Sequence, residues 1–278
     1  MAMKSLLILQ AVALCILGCN TCNAENLDSQ FLQSLGGVKY HELVSAKLDR
    51  SFYIFVDLPE NYSSSKESYP TVYLLDGGIT FPLLASYQHY LRFGDETPAA
   101  ILVGISYGAD TFEEGNLRST DFTAPSQERE FWGGAQAFQQ VLEHELIPLI
   151  EKNYRTDPSS RVLFGQSLGG QFVLYNALTK PELFFGHIAS NPALHRNLPF
   201  FLKWQGQNAI PTSASHVFVS SGEYNDPRFR EPALAWIKQW QSSPTKPWRL
   251  ETRTLKGQSH FSAAPEAFRQ GLIWLFEK

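Results

Sequence analysis

Apolar positions in this chain fall into short runs separated by polar turns, with stretches of helical spacing between them. Phe52 to Leu58 (FYIFVDL) and Thr71 to Leu75 (TVYLL) have the aromatic and β-branched content of strands, and Pro59 to Tyr69 between them reads as a polar turn region. Ala100 to Ile105 (AILVGI), Arg161 to Phe164, His187 to Ala189 and His216 to Ser220 (HVFVS) are further apolar runs of strand length, and Arg249 to Leu255 alternates. Helical spacing shows where Phe138, Val141, Leu142, Leu146, Ile147 and Ile150 recur between Trp132 and Tyr154. It shows again over Gln171 to Thr179 and Pro265 to Phe276. Apolar strands alternating with helices predict an α/β fold, a mainly parallel sheet with helices on both faces. No linker or internal repeat divides residues 25 to 278, so one domain is expected.

Composition agrees with a globular enzyme-sized domain: 44% of the 278 residues are hydrophobic and 18% charged. A net charge of -4 offers no electrostatic basis for binding nucleic acid or an anionic membrane surface. The first residues differ in kind. Lys4 precedes an apolar stretch from Leu6 to Leu17, and Cys22-Asn23-Ala24 supplies small residues for cleavage, the pattern of a secretory signal peptide over residues 1 to 24. The apolar stretch is shorter than the roughly 20 residues of a bilayer span, so no permanent span is expected. Cys15, Cys19 and Cys22 all lie in this leader, and cleavage after Ala24 leaves a mature domain without thiols. Ile16-Leu17-Gly18-Cys19 also reads as a lipoprotein cleavage box with Cys19 as the lipidated residue, although Leu17 stands where a small residue is usual. The expectation is export to the periplasm or beyond, with lipid anchoring through Cys19 as the alternative.

Candidate chemistry centres on RVLFGQSLGG, residues 161 to 170, where Ser167 sits between Gly165 and Gly169 at the passage from a strand to a helix. A G-x-S-x-G turn of this kind holds a serine hydroxyl clear of the sheet. A serine hydroxyl needs a base, and histidine has a suitable pKa. His260 follows the last strand in a polar loop, with Phe261 beside it to limit rotation and exclude water; His195 is the rival on a loop near the same end of the sheet. Two carboxylates compete to orient the imidazole, Glu223 near the end of the HVFVS strand and Asp226 further along; a serine and histidine acting without an acid is the third alternative. An oxyanion needs N–H donors, expected from Leu168 and from Gly78 in Asp76-Gly77-Gly78, with Asp76 forming the turn. The order serine, acid, histidine is that of an α/β-hydrolase. No HExxH or Cys/His ligand spacing is present, so neither metal nor organic cofactor is expected.

Several stretches carry a family resemblance: Tyr73-Leu74-Leu75-Asp76-Gly77, Arg118 to Phe122 (RSTDF), Gly133-Gly134, Glu145 to Pro148, Asn153-Tyr154-Arg155, Gly165 to Gly170 and Gly257 to Ser262. Together they resemble the Putative esterase family of α/β-hydrolases, which includes esterase D-like enzymes and hydrolases of catecholate siderophore trilactones. The resemblance spans about residues 40 to 276. It implies that Ser167 is the nucleophile and His260 its base. Some siderophore esterases have no identifiable acid, which leaves Glu223 open. Arg118 is expected either to meet an anionic group of the substrate or to pair with Asp121 or another loop carboxylate. The expected function is an exported serine carboxylic-ester hydrolase acting on a small-molecule ester through an acyl-enzyme. A siderophore trilactone ranks below a short-acyl or aromatic ester, since the sequence shows no dense basic cluster. An acyltransferase and a binding protein without turnover are the alternatives, and the presence of both Ser167 and His260 weighs against the binder.

Overall fold

The computed structural model describes residues 32, 34–203, 215–244 and 246–277; the leader and its cysteines lie outside the described residues. Eight strands form one sheet: β1 (Lys39–Ser45), β2 (Arg50–Asp57), β3 (Tyr69–Leu74), β4 (Ile101–Ser106), β5 (Thr156–Gln166), β6 (Gly186–Ser190), β7 (Ser215–Gly222) and β8 (Trp248–Leu255). Their order is β1-β2-β4-β3-β5-β6-β7-β8. β1 pairs antiparallel with β2 and β2 antiparallel with β4; every later pairing is parallel. The apolar runs become strands, all of them with parallel partners except Phe52 to Leu58, which forms the antiparallel β2. β4 and β6 are buried at every position, as a sheet covered on both faces requires.

Helices α1 (Gly77–Arg92), α2 (Arg118–Asp121), α3 (Ala135–Val141), α4 (Ile147–Asn153), α5 (Leu168–Thr179), α6 (Leu198–Lys203), α7 (Pro227–Ser242) and α8 (Ala263–Phe276) cover the faces. On one face Phe52, Phe138, Phe172 and Trp236 join a large core; on the other Phe164, Leu84, Phe268 and Leu272 make a second. The helical pattern between Trp132 and Tyr154 is two helices joined by a π turn over Leu142–Leu146. Pro148 follows directly in the same continuous helical run, where it has no N–H to donate, and the widened turn before it accommodates that break.

Three elements escape the apolar pattern for separate reasons. β1 is an edge strand with exposed and half-buried positions, so little apolar signal marks it. α1 contains Pro82 and starts on glycines, and α7 starts on Pro227 and contains Pro232. Glycine and proline inside a helix are poor helix signals. By contrast α5 begins directly after Ser167 and is buried from Leu168 through Leu178.

The central strand β5 runs straight into α5, and this sets the height of Ser167. A Cβ built on Gly165 would lie 2.3 Å from the carbonyl carbon of Gly169, so the strand end and the first helical turn meet backbone to backbone. Gly165→Ala is expected to destabilise the fold by about 1–3 kcal/mol through overpacking at backbone that cannot move aside. A fall in thermal melting temperature checks this, and an unchanged melting temperature would contradict the close approach.

Candidate active site

Ser167 occupies φ 59°, ψ −113°, a conformation that a residue with a Cβ rarely adopts. Three main-chain bonds hold it there. Its N–H donates to the Ser190 carbonyl at 3.0 Å, and its own carbonyl accepts from Gln171 N–H at 3.0 Å and Ala193 N–H at 2.9 Å. Ser167 is thus clamped between the end of β6 and the start of α5. Leu168 is the first residue of α5 and has no helical carbonyl four residues back, so its N–H is free to donate.

His260 lies in the loop between β8 and α8, with Nε2 3.0 Å from the Ser167 hydroxyl. Its Nδ1 is 3.0 Å from Oδ1 of Asn225. An amide carbonyl accepts, so Nδ1 carries the proton and Nε2 is left bare to take the serine's. The His260 carbonyl accepts from Gln166 Nε2 at 2.5 Å and from Asn191 Nδ2 at 3.0 Å. The ring stacks on Phe229 with centroids 4.6 Å apart and planes 30° apart. Only 8% of His260 is exposed. Burial pushes its pKa below the ordinary histidine value, and the negative charge of Asp226 opposes that shift.

Glu223 does not reach His260. It is exposed and accepts the Gly257 N–H at 2.8 Å, because β7 ends at Gly222 and the chain turns outward there. Asp226 caps α7, accepting from Arg228 N–H at 2.8 Å, and acts on the imidazole only through its charge. The residue that meets Nδ1 is Asn225, which precedes Asp226 in the loop and is buried and folded back by its N–H bond to the Gly222 carbonyl at 3.2 Å. Sequence reasoning passed over it because an amide was not among the residue types sought for that role. Phe261 also departs from expectation: it is 86% exposed and meets the imidazole edge-on, so Phe229 is the ring that covers it. His195 contacts the same Phe229, centroids 4.9 Å apart, and belongs to the wall around the pair.

A cleft of about 670 Å³ opens over Ser167 and His260, lined also by Gly78, Ile79, Tyr107 and Arg118. Gly78 stands in the first turn of α1, where backbone N–H groups lack helical acceptors. Arg118 lines the cleft while its guanidinium is gripped by both Asp76 oxygens, at 2.6 and 2.8 Å. Asp121 is instead paired with Arg50 and accepts the Tyr107 hydroxyl at 2.8 Å. Asp76 thus makes the turn, at φ 56°, and also neutralises Arg118.

Three other arginines converge from distant parts of the chain. Arg196 packs on the Trp132 ring and Arg228 on the Phe229 ring. Burial lowers the Arg196 pKa, and the charges of Arg118 and Arg129 lower it further; burial likewise lowers that of His195, followed by the charges of Arg196, Arg228 and His260. None of Arg129, Arg196 and Arg228 pairs with a carboxylate among the described residues. The basic cluster missing from the sequence is assembled by the fold. Among the described residues no cluster of histidine, cysteine and carboxylate side chains fits a metal ion.

The family model described as Putative esterase matches residues 45–266. Ferri-bacillibactin esterase BesA of Bacillus subtilis is 28% identical over 257 residues, covering 84% of this chain and 87% of its own. An IroE-like serine hydrolase from Shewanella oneidensis superposes with a TM-score of 0.74 at 25% identity, over 86% of this chain and 80% of that one. The BES protein from Bacillus cereus shares the fold with a TM-score of 0.70 at 23% identity, over 86% of this chain and 94% of that one. The sheet order, the helices on both faces and these neighbours make the fold an α/β-hydrolase fold.

The burial of His260 predicts its titration. Followed by NMR of the imidazole ring protons, its midpoint is expected below 6.5, and lower still in Asp226→Asn, which removes the opposing carboxylate. The neutral ring therefore persists into mildly acidic solution. A midpoint above 6.5, or an upward move on removing Asp226, would contradict the assignment of causes.

Proposed function

Since the chain belongs to the Putative esterase family and is a carboxylic ester hydrolase, we propose that it is a serine esterase, with Ser167 as nucleophile and His260 as general base, working through an acyl-enzyme. The observation that carries this reading is the 3.0 Å contact between Ser167 Oγ and a bare His260 Nε2 on a strained strand-to-helix turn. As Oγ attacks the acyl carbon its proton passes to Nε2, and the carbonyl oxygen becomes an oxyanion facing the N–H groups of Leu168 and Gly78. Collapse breaks the ester bond, and the proton on Nε2 goes to the departing alcohol. Water then loses a proton to Nε2 as it attacks the acyl group; collapse breaks the acyl–Oγ bond, releases the acid, and returns that proton from Nε2 to Ser167. The Asn225 carbonyl stabilises the imidazolium through a dipole, in the place where a carboxylate would put a full charge.

The substrate we propose is an anionic aromatic ester of the siderophore type. The relative's name describes an esterase of a ferric siderophore. Here Arg129, Arg196 and Arg228, without carboxylate partners among the described residues, stand with Trp132 and Phe229 near Arg118 and His195. Guanidinium groups and aromatic faces suit planar anions. The leader read in the sequence supports export, which would bring the enzyme to such a substrate outside the cytoplasm.

Hydrolysis of p-nitrophenyl esters of graded chain length, with Ser167→Ala beside the parent protein, tests the chemistry. Loss of the serine is expected to cost on the order of a millionfold in kcat; a variant that keeps its rate would overturn the nucleophile. For the substrate, Arg196→Gln is expected to raise KM for a ferric tris-catecholate trilactone roughly tenfold more than for p-nitrophenyl acetate, a difference of about 1.4 kcal/mol. Equal changes for both esters would remove the anionic-substrate reading and leave the esterase one.

A further inference from the structure

Resting on the serine esterase reading, one question remains at the rear of the site: what makes an amide at position 225 present its oxygen to His260. An asparagine amide turned by 180° would offer Nδ2 instead. His260 Nδ1 would then have to accept, the proton would move to Nε2, and Nε2 could no longer take the proton of Ser167. In serine protease triads, replacing the aspartate by asparagine costs about 10⁴ in kcat through this wrong tautomer. A centre built on asparagine therefore needs a device that prevents the turn.

Asn191 has the geometry of that device. It sits at the end of β6 and is fully buried, at φ 43°, a left-handed conformation that asparagine tolerates better than most residues. Its N–H donates to the Ser220 carbonyl at 2.9 Å, which ties it to β7. Its Oδ1 accepts from Asn225 Nδ2 at 3.1 Å and from the Gly222 N–H at 2.7 Å. Its Nδ2 donates to the carbonyls of Ser259 at 3.3 Å and His260 at 3.0 Å. Two main-chain acceptors and one main-chain donor cannot exchange roles, so the Asn191 amide has a single satisfied orientation. That orientation points an acceptor at position 225 and leaves Asn225 a single satisfied orientation in turn.

We propose that Asn191 is a positioning residue of this centre, which turns the Asn225 carbonyl toward His260, thereby holds the imidazole in the Nδ1–H tautomer, and selects an amide over a carboxylate at position 225. The second consequence follows from the same bonds. Aspartate at 225 would set a carboxylate oxygen against Asn191 Oδ1 with no proton between them. Asn191 could relieve that only by facing Oδ1 toward two carbonyls and abandoning the Gly222 N–H. A buried polar atom left without its partner is destabilising.

Two measurements test this on the full chain. Long-range nitrogen–proton NMR of histidine-labelled protein, with the His260 signals assigned through His260→Gln, reads the tautomer directly and needs no substrate. The expected result is a proton on Nδ1 and none on Nε2 at neutral pH; a proton on Nε2 overturns the proposal, even in a protein that hydrolyses every ester tried. Conversely, absent turnover with the Nδ1–H tautomer in place would sink the esterase reading and leave the tautomer lock standing.

The second measurement is a mutant cycle with Asn225→Asp and Asn191→Gly, since glycine keeps the left-handed backbone and removes only the amide. Asn191→Gly is expected to lower kcat at least tenfold and to populate the Nε2–H tautomer. Asn225→Asp alone is expected to slow the enzyme, whereas in the Asn191→Gly background it should speed it, because a carboxylate accepts from Nδ1 in either orientation. Equal effects of Asn225→Asp in the two backgrounds would show Asn191 to be structural filler and overturn the proposal. Where Asn191→Gly does not fold, the tautomer of the parent protein and the rate of Asn225→Asp decide: a proton on Nε2, or an Asn225→Asp enzyme as fast as the parent, overturns the proposal.

Discussion

The backbone at Ser167 is the constraint on which the rest of the site depends. A positive φ at a residue with a side chain costs about 1–3 kcal/mol. It persists because three main-chain hydrogen bonds, each worth about 1 kcal/mol net, tie the residue to the end of β6 and the first turn of α5. Glycine at 165 and 169 lets strand and helix close to the distance at which those bonds form. The strained conformation lifts the hydroxyl toward His260 and frees the Leu168 N–H at the helix start. Strand end, helix start and the candidate oxyanion donor thus meet at one turn.

Behind the serine, the polar groups are arranged by hydrogen-bond direction more than by charge. Asn191, Asn225 and His260 are all buried, where an unpaired carboxylate would carry a large desolvation cost. Amides avoid that cost but bring an ambiguity of orientation, which main-chain groups of Gly222, Ser259 and His260 resolve. The nearby carboxylates are employed elsewhere: Asp226 caps α7, Glu223 ties down the Gly257 turn, and Asp76 holds Arg118. Charge acts at longer range, through Arg129, Arg196 and Arg228, which have no carboxylate partner among the described residues and lie near Arg118 and His195.

Read from its residues, the chain declared the parallel core strands, the serine turn and the late histidine, because each is local. An apolar run of strand length, a G-x-S-x-G turn and a histidine after the last strand need no knowledge of distant partners. β1 was hidden by its exposed edge position, and α1 and α7 by the prolines and glycines that begin or interrupt them. The site residues behind His260 were hidden for a different reason. Asn225 lies in the loop already searched for an acid, but its role depends on which way the chain turns after Gly222.

What the sequence by itself determined was the order of elements, the strand-to-helix turn and the candidate pair Ser167 and His260, since hydrophobic spacing and backbone permissiveness act over a few residues. The tertiary structure alone decided the rest. It chose Asn225 over Glu223 and Asp226, committed Arg118 to Asp76, and brought Arg129, Arg196 and Arg228 near Arg118 and His195. Each of these is settled by the direction of a hydrogen bond or the distance between charges far apart in the chain, and such quantities exist only once the sheet has brought its strand ends together.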